Sequence, residues 1–158
     1  WGMSNAAATL VGQNLGAGQP DRAERSVHIT SKYNAFFMGM VSIVYLLFAP
    51  QIISWFNTTP EVVKYGSLCL RILASGYIFF GYGMVIIQSF NGAGDTKTPT
   101  YINLVCFWLF QLPIAYLIAI TFNAGPIGVF CAITAAEVLV TIVGYIWFKK
   151  GTWKTTQV

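Results

Sequence analysis

Residues 1–20, 33–60 and 72–94 carry no Asp, Glu, Lys or Arg, and residues 98–148 carry only Glu137. Charge-free stretches of about 20 residues are what the roughly 30 Å hydrocarbon core of a bilayer selects. Only 9% of the 158 residues are charged and 56% are hydrophobic, whereas an ordinary soluble domain is about 25% charged. In hydrocarbon every segment must satisfy its own backbone hydrogen bonds, which leaves helices or closed barrels. The apolar runs lack strand alternation. The expected fold class is therefore all-α, a polytopic membrane helical bundle with about five transmembrane helices.

Turn signals set the boundaries. The first span covers about residues 1–15 and ends at Gly16-Ala17-Gly18. Pro20 suits the first turn of a new helix, with Asp21 and Glu24 at the positive end of its dipole. That helix runs through Arg25 and Lys32 into a second span, about 33–49, which Pro50 closes. Thr58 and Glu61 stand at capping-box spacing around Pro60 and open a third span, about 66–90. Asn91-Gly92-Ala93-Gly94-Asp95 is a turn, Thr98-Pro99 opens a fourth span of about 100–122, and a fifth covers about 126–148. Residues 149–158 are expected to form a tail. The opening at Trp1, inside an apolar segment, reads as a truncation rather than a signal peptide.

Lys and Arg favour the cytoplasmic side of short loops. With five spans, one face receives Arg22, Arg25, Lys32, Lys97, Lys149, Lys150 and Lys154, and the other Lys64 and Arg71. The tail and both Gly-Ala-Gly turns are expected on the cytoplasmic side. The net charge of +4 sits at membrane edges without a basic stripe for phosphate contact, so nucleic acid is not an expected partner. The bilayer is.

Polar groups within the spans cost energy in lipid and normally face protein or a water-filled cavity. Glu137 lies near the centre of the fifth span, where an ionised carboxylate costs about 3 kcal/mol, and Thr134 and Thr141 share its helix face. These three are the candidate cation- or proton-coupling residues. The competing reading is a carboxyl that locks helix packing. Arg71, Ser75, Tyr82 and Ser89 recur on one face of the third span, and Asn103, Phe107 and Gln111 recur every fourth residue on the fourth. Arg71, Ser75, Tyr82, Asn103, Phe107 and Gln111 are the candidate lining of a substrate cleft, although Arg71 is also close enough to the outer end to snorkel. Pro113 is expected to kink the fourth span. Asn5, Thr9 and Gln13 form a polar stripe on the first span, and Ala8, Gly12 and Gly16 have the spacing that lets helices approach closely. Trp55, Trp147 and Trp153 read as an interfacial belt, while Phe79, Tyr82, Phe107 and Trp108 lie deeper, within reach of an apolar cation. Cys69, Cys106 and Cys131 read as small buried hydrophobes, and His28 as a lone solvated side chain. No metal-ligand spacing and no nucleophile with its base appears, so no catalytic residue, metal or cofactor is expected, and no enzyme.

The two turns repeat about 75 residues apart, and internal symmetry of this kind is common in secondary transporters. Val11-Gly12-Gln13-Asn14-Leu15-Gly16-Ala17-Gly18 with Pro20, Ala23 and Glu24, and Phe90-Asn91-Gly92-Ala93-Gly94-Asp95-Thr96 with Pro99, resemble the multidrug and toxic compound extrusion (MATE) family. Gly16, Gly18, Gly92, Gly94 and Asp95 then read as structural signature loops. The resemblance covers almost the whole chain. It implies the carboxy-terminal part, helices eight to twelve, of a twelve-helix, two-lobe transporter of the cell inner membrane. Such a protein is an antiporter that exports small organic cations or amphiphiles in exchange for Na⁺ or H⁺, and its amino-terminal lobe is the partner missing from this chain. The best-known acidic residues of the family lie in that lobe or on helices seven and ten, and the third span here has no Asp or Glu. A flippase-type exporter of lipid-linked or polysaccharide substrates is the alternative within the same superfamily. That class normally has a more basic cavity than one Arg in the spans supplies.

Overall fold

The computed structural model describes residues 1–155 and consists of six helical rods. These are α1 (Gly2–Gly16), α2 (Pro20–Ser54), α3 (Pro60–Ser75), α4 (Tyr77–Gly92), α5 (Lys97–Thr121) and α6 (Pro126–Lys150), followed by a short 3-10 turn at Thr152–Thr155. Three of them, α2, α5 and α6, are each long and apolar enough to cross a membrane, and α3 and α4, bent at their junction, together have the length and composition of a fourth span. The 15 residues of α1 fall short of the about 20 that a full crossing needs. Helix α4 is central and packs on α1, α2 and α6, while α5 leans on α6.

The third span, expected over about residues 66–90, is two helices rather than one. It bends by 53° between α3 and α4. Ser75-Gly76 is the pair at the break, a recognised cause of sharp kinks, and the Gly76 N–H turns to the Leu73 carbonyl instead of the Ile72 one. The carbonyls released there are taken up by neighbours. Ser75 and Thr134 hydroxyls donate to Ile72 O at 2.6 and 3.2 Å, and Ser42 of α2 donates to Ala74 O at 2.6 Å. Pro113, the expected kink, sits inside a rod that continues through it. The turns before it are π-helical over Leu104–Gln111, a widened register that accommodates a residue without an N–H.

Pro50 likewise fails to end its helix, which runs on to Ser54. Proline cannot donate to the carbonyl four residues earlier, here that of Leu46, and the Arg71 Nε of α3 donates to it at 3.1 Å. The capping box expected at Thr58 is also absent: α3 starts at Pro60 as expected, but the Asn57 side chain accepts the Thr59 N–H at 2.7 Å.

Both Gly-Ala-Gly turns close their helices with the same bonds. Gly18 N donates to Leu15 O and Gln19 N to Asn14 O at 2.9 and 2.8 Å, matched by Gly94 N to Asn91 O and Asp95 N to Phe90 O at 3.1 and 2.9 Å. Gly18 and Gly94 take φ of 68° and 79°, the left-handed C-cap conformation that glycine adopts without strain. Asp95 adds a brace at the second turn, accepting the Thr98 N–H and hydroxyl at 3.0 and 2.6 Å. The turns lie at one end of the bundle, over the largest buried cluster, where Val11, Val27, Ile86, Phe90, Phe148 and Trp153 meet.

Trp153 is therefore no interfacial belt residue. It is fully buried, stacked on Phe148 at 4.8 Å, with its indole N–H on the Phe148 carbonyl. Gly151, at φ 73°, turns the chain back from α6. Lys154 then reaches Glu24 at 2.6 Å and Asp21 at 3.4 Å. His28 is not alone either, lying 3.6 Å from Glu24 and edge-on to Phe148. Of the cysteines Cys106 is buried, Cys69 half-buried and Cys131 exposed, so the buried reading fails for Cys131. Residues 156–158 of the expected tail lie outside the described residues.

Candidate functional site

Helix α6 presents Thr134, Glu137 and Thr141 toward the broken span. Glycines set how close it comes. A Cβ on Gly76 would lie 2.7 Å from Thr134 Cγ2, and one on Gly83 would overlap the Thr141 hydroxyl. Gly76 and Gly83 are thus paired in register with Thr134 and Thr141, one heptad apart on parallel helices. The Thr141 hydroxyl bonds Phe79 O at 2.8 Å, as Thr134 bonds Ile72 O. On the opposite side Asn34 of α2 bonds Gly81 O at 2.7 Å. The first turns of α4 are clamped from both flanks.

Glu137 falls between the two threonines. Its carboxylate is half-buried and has no hydrogen-bond or ion-pair partner among the described residues. It does not meet Arg71, whose Nε is taken by Leu46 O. Two cavities share Glu137 and Phe80 as a common wall. One, of about 420 Å³, is bounded by Phe37 and Tyr45 of α2, Tyr77 at the start of α4, and Thr134. The other, of about 400 Å³, is bounded by Gln88 and Asn91 of α4, Asn103 and Phe107 of α5, and Thr141. Both lie in the size range of small-molecule sites.

The sequence-derived residues divide accordingly. Glu137, Thr134 and Thr141 come together, and Asn103 and Phe107 join them around the second cavity. Gln111 lines neither: the π register shifts residues four apart off a common face. The stripe of Arg71, Ser75, Tyr82 and Ser89 is interrupted by the bend. Arg71 and Ser75 are exposed, Ser89 is buried against its own helix, and Tyr82 lines a separate groove with Tyr145. Trp108 points outward at 66% exposure. Gly16 makes no close contact, whereas Gly12 and Ala8 meet Gly92 across the α1–α4 crossing, with Ala8 O where a Gly92 Cβ would stand.

Two features escaped the sequence. Gln88 donates to Asn5 at 3.1 Å and accepts from Asn91 at 2.9 Å, a polar relay at the edge of the second cavity. Asn91 reads in the sequence only as a turn residue, and Gln88 lies three positions before it. Tyr45, Tyr77 and Phe80 come from two helices and had no shared periodicity to reveal them.

Among the described residues there is no group of three or more His, Cys, Asp or Glu side chains that could hold a metal ion. Glu137 is the one acidic side chain lining the two cavities.

A family model described as MatE matches residues 1–117. The uncharacterized transporter YisQ of Bacillus subtilis strain 168 is 28% identical over 158 residues, covering 94% of this chain and 34% of that protein. The probable multidrug resistance protein NorM of Thermotoga maritima is 23% identical over 158 residues, covering 100% and 34%. A solved structure, the inward-facing conformation of a multidrug resistance MATE family transporter of the MOP superfamily, matches with a TM-score of 0.87 at 21% identity, over 100% of this chain and 37% of that one. At that identity the likeness speaks for the fold. The chain spans about a third of the length of the relatives it matches. With its paired Gly-Ala-Gly turns and a family match over residues 1–117, this multi-pass membrane chain belongs to the MatE family of transporters.

Proposed function

We propose that this chain forms the carboxy-terminal part of a cation-coupled exporter of the cell inner membrane. The exporter moves small organic cations or amphiphiles outward against an inward flow of H⁺ or Na⁺, with the tail on the cytoplasmic side. The observation that carries the proposal is the partnerless Glu137 carboxylate shared by two cavities of about 420 and 400 Å³. An acidic group inside a membrane bundle marks a substrate or ion pathway, and one that pairs with nothing else is free to exchange cations. Thr134 and Thr141 hold α6 against the two sides of the bend through Ile72 O and Phe79 O, so charge exchange at Glu137 occurs beside the break between α3 and α4. Arg71, engaged with α2, takes no part.

The test is efflux of a fluorescent organic cation from vesicles holding the full-length protein, with a pH or a Na⁺ gradient imposed separately. One gradient is expected to drive efflux. Glu137→Gln should lower that component by at least about tenfold, because the amide can neither take up a proton nor carry a charge. Gradient-driven efflux unchanged by Glu137→Gln removes Glu137 from coupling. No gradient-driven efflux by the unmodified protein refutes the exporter reading.

A further inference from the structure

The two cavities that meet at Glu137 differ in chemistry. The second is edged by amides, those of Gln88, Asn91 and Asn103. The first is aromatic on three sides: Tyr45 and Tyr77 meet with ring centroids 5.9 Å apart at 63°, and Tyr77 and Phe80 at 6.4 Å and 40°. Rings inclined in this way form a curved wall rather than a flat stack. Phe37 completes it, and Glu137 with Thr134 supplies the polar side.

We infer that this first cavity is a binding subsite for a lipophilic organic cation, a quaternary or bulky tertiary ammonium or a phosphonium, held by the Tyr45, Tyr77 and Phe80 rings with Glu137 as its counter-charge. The inference takes its cargo class from the exporter reading, and the place and the ligand chemistry from the cavity. Ring faces attract diffuse cations, and a carboxylate with no other partner supplies the single negative charge that a monovalent ligand neutralises. A divalent metal ion is a poor fit. Among the described residues no group of three or more acidic, His or Cys side chains surrounds Glu137, and hard cations take about six or more oxygen ligands. An anion would be repelled. A neutral apolar ligand would exclude water from the carboxylate and leave it without a partner.

Leu73, Gly76 and Tyr77 border the same cavity, so a ligand there touches both arms of the 53° bend. The chain breaks at Gly76, where the missing side chain lets Thr134 of α6 close against the bend, since a Cβ there would lie 2.7 Å from Thr134 Cγ2. One carboxylate cannot hold a proton and pair with an organic cation together. Occupancy by one therefore displaces the other, and exchange at this subsite needs no second acid.

The experiment is equilibrium binding, independent of transport, with the full-length protein in detergent and radiolabelled tetraphenylphosphonium as the probe. Tetraphenylborate, of the same shape and opposite charge, is the control. The phosphonium is expected to bind and the borate to bind at least about tenfold more weakly, as a ring quadrupole and a carboxylate both dictate. Glu137→Gln should weaken the phosphonium at least about tenfold and narrow its advantage over the borate. Phe80→Leu, which keeps the charge, should weaken it about threefold to tenfold. Trp108→Leu, outside both cavities, should leave it unchanged. Wild-type affinity in both Glu137→Gln and Phe80→Leu overturns the subsite, as does equal affinity for borate and phosphonium. Where Glu137→Gln does not fold, Phe80→Leu and Tyr77→Leu decide, and wild-type affinity in both overturns it. Glu137-dependent binding without gradient-driven efflux would sustain the subsite while refuting the exporter reading. Gradient-driven efflux with binding indifferent to Glu137 and Phe80 would do the reverse.

Discussion

At the scale of single residues the least expected bond is the one from Arg71 to Leu46 O, 3.1 Å across the α2–α3 contact. Pro50 leaves that carbonyl without its helical donor, and a guanidinium, always charged and rich in donors, replaces it. Arg71→Ala should destabilise the protein by about 1 kcal/mol, the usual net worth of one such bond. In a Pro50→Ala background, where residue 50 again carries an N–H for Leu46, most of that loss should vanish. A double-mutant cycle by thermal unfolding in micelles checks this, and additive effects would mean that Arg71 acts elsewhere. Both residues were visible in the sequence as exceptions, a proline and an arginine at the margins of apolar spans. Their connection was not, because it joins positions on different helices and has no period. The same holds for Glu137. Its isolation in the fifth span was legible from charge alone, and Thr134 and Thr141 from helical spacing, but the aromatic wall opposite comes from α2 and α4 and depends on the bend.

At the scale of elements the charge-free runs located the helices well, and the glycines decided how they meet. The α4–α6 seam is set by Gly76 and Gly83 opposite Thr134 and Thr141, and the α1–α4 crossing by Gly12 and Gly92. Gly83→Ala would drive a methyl group into the Thr141 hydroxyl, which already bonds Phe79 O. Overpacking of this kind costs about 1–3 kcal/mol. Thr141→Ala removes the overlapping hydroxyl and leaves only the Cβ and Cα of residue 141, at 3.1 and 3.2 Å, so the added cost of Gly83→Ala should fall toward the lower end of that range, about 1 kcal/mol. Unfolding midpoints of the two singles and the double measure the difference, and an equal cost in both backgrounds would show that the seam is not set there. A periodicity argument could not find the 53° bend, since Arg71, Ser75, Tyr82 and Ser89 fit one continuous helix as well as they fit the two actual ones. Ser75-Gly76 was the available signal, and it carries weight only once α2 and α6 are present to receive the freed carbonyls.

At the scale of the whole molecule, one end of the bundle is closed by its own tail while its flanks remain apolar and exposed, as at Phe36, Leu47 and Leu109. Surface of that kind requires lipid or further protein. The closed end joins α1, α2, α4 and α6 through the cluster that Trp153 completes, so the 3-10 turn fastens helices that the loops alone would leave to splay. Trp153→Ala should cost about 3–5 kcal/mol, as buried tryptophans do. The ion pair beside it gives that fastening a pH signature. The hydrogen bond from Lys154 holds the Glu24 carboxyl below its ordinary pKa, with the Lys154 charge adding to the effect and partial burial opposing it, and the same bond holds the Lys154 ammonium above its own. A depressed carboxyl stabilises the folded state above its unfolded value and loses that contribution as pH falls through the lowered one. A raised ammonium stabilises below its unfolded value and loses the contribution as pH rises through the raised one. The pair is therefore fully engaged between about pH 4.3 and about pH 10.4, the unperturbed values of the two groups. Lys154→Met should lower the melting temperature by a constant amount across that window, and the gap to the unmodified protein should close below it as Glu24 takes up a proton. A gap that persists at pH 3 would assign the effect to the Lys154 ammonium over the Trp153 ring, 5.9 Å from its centroid, rather than to its pairing with Glu24.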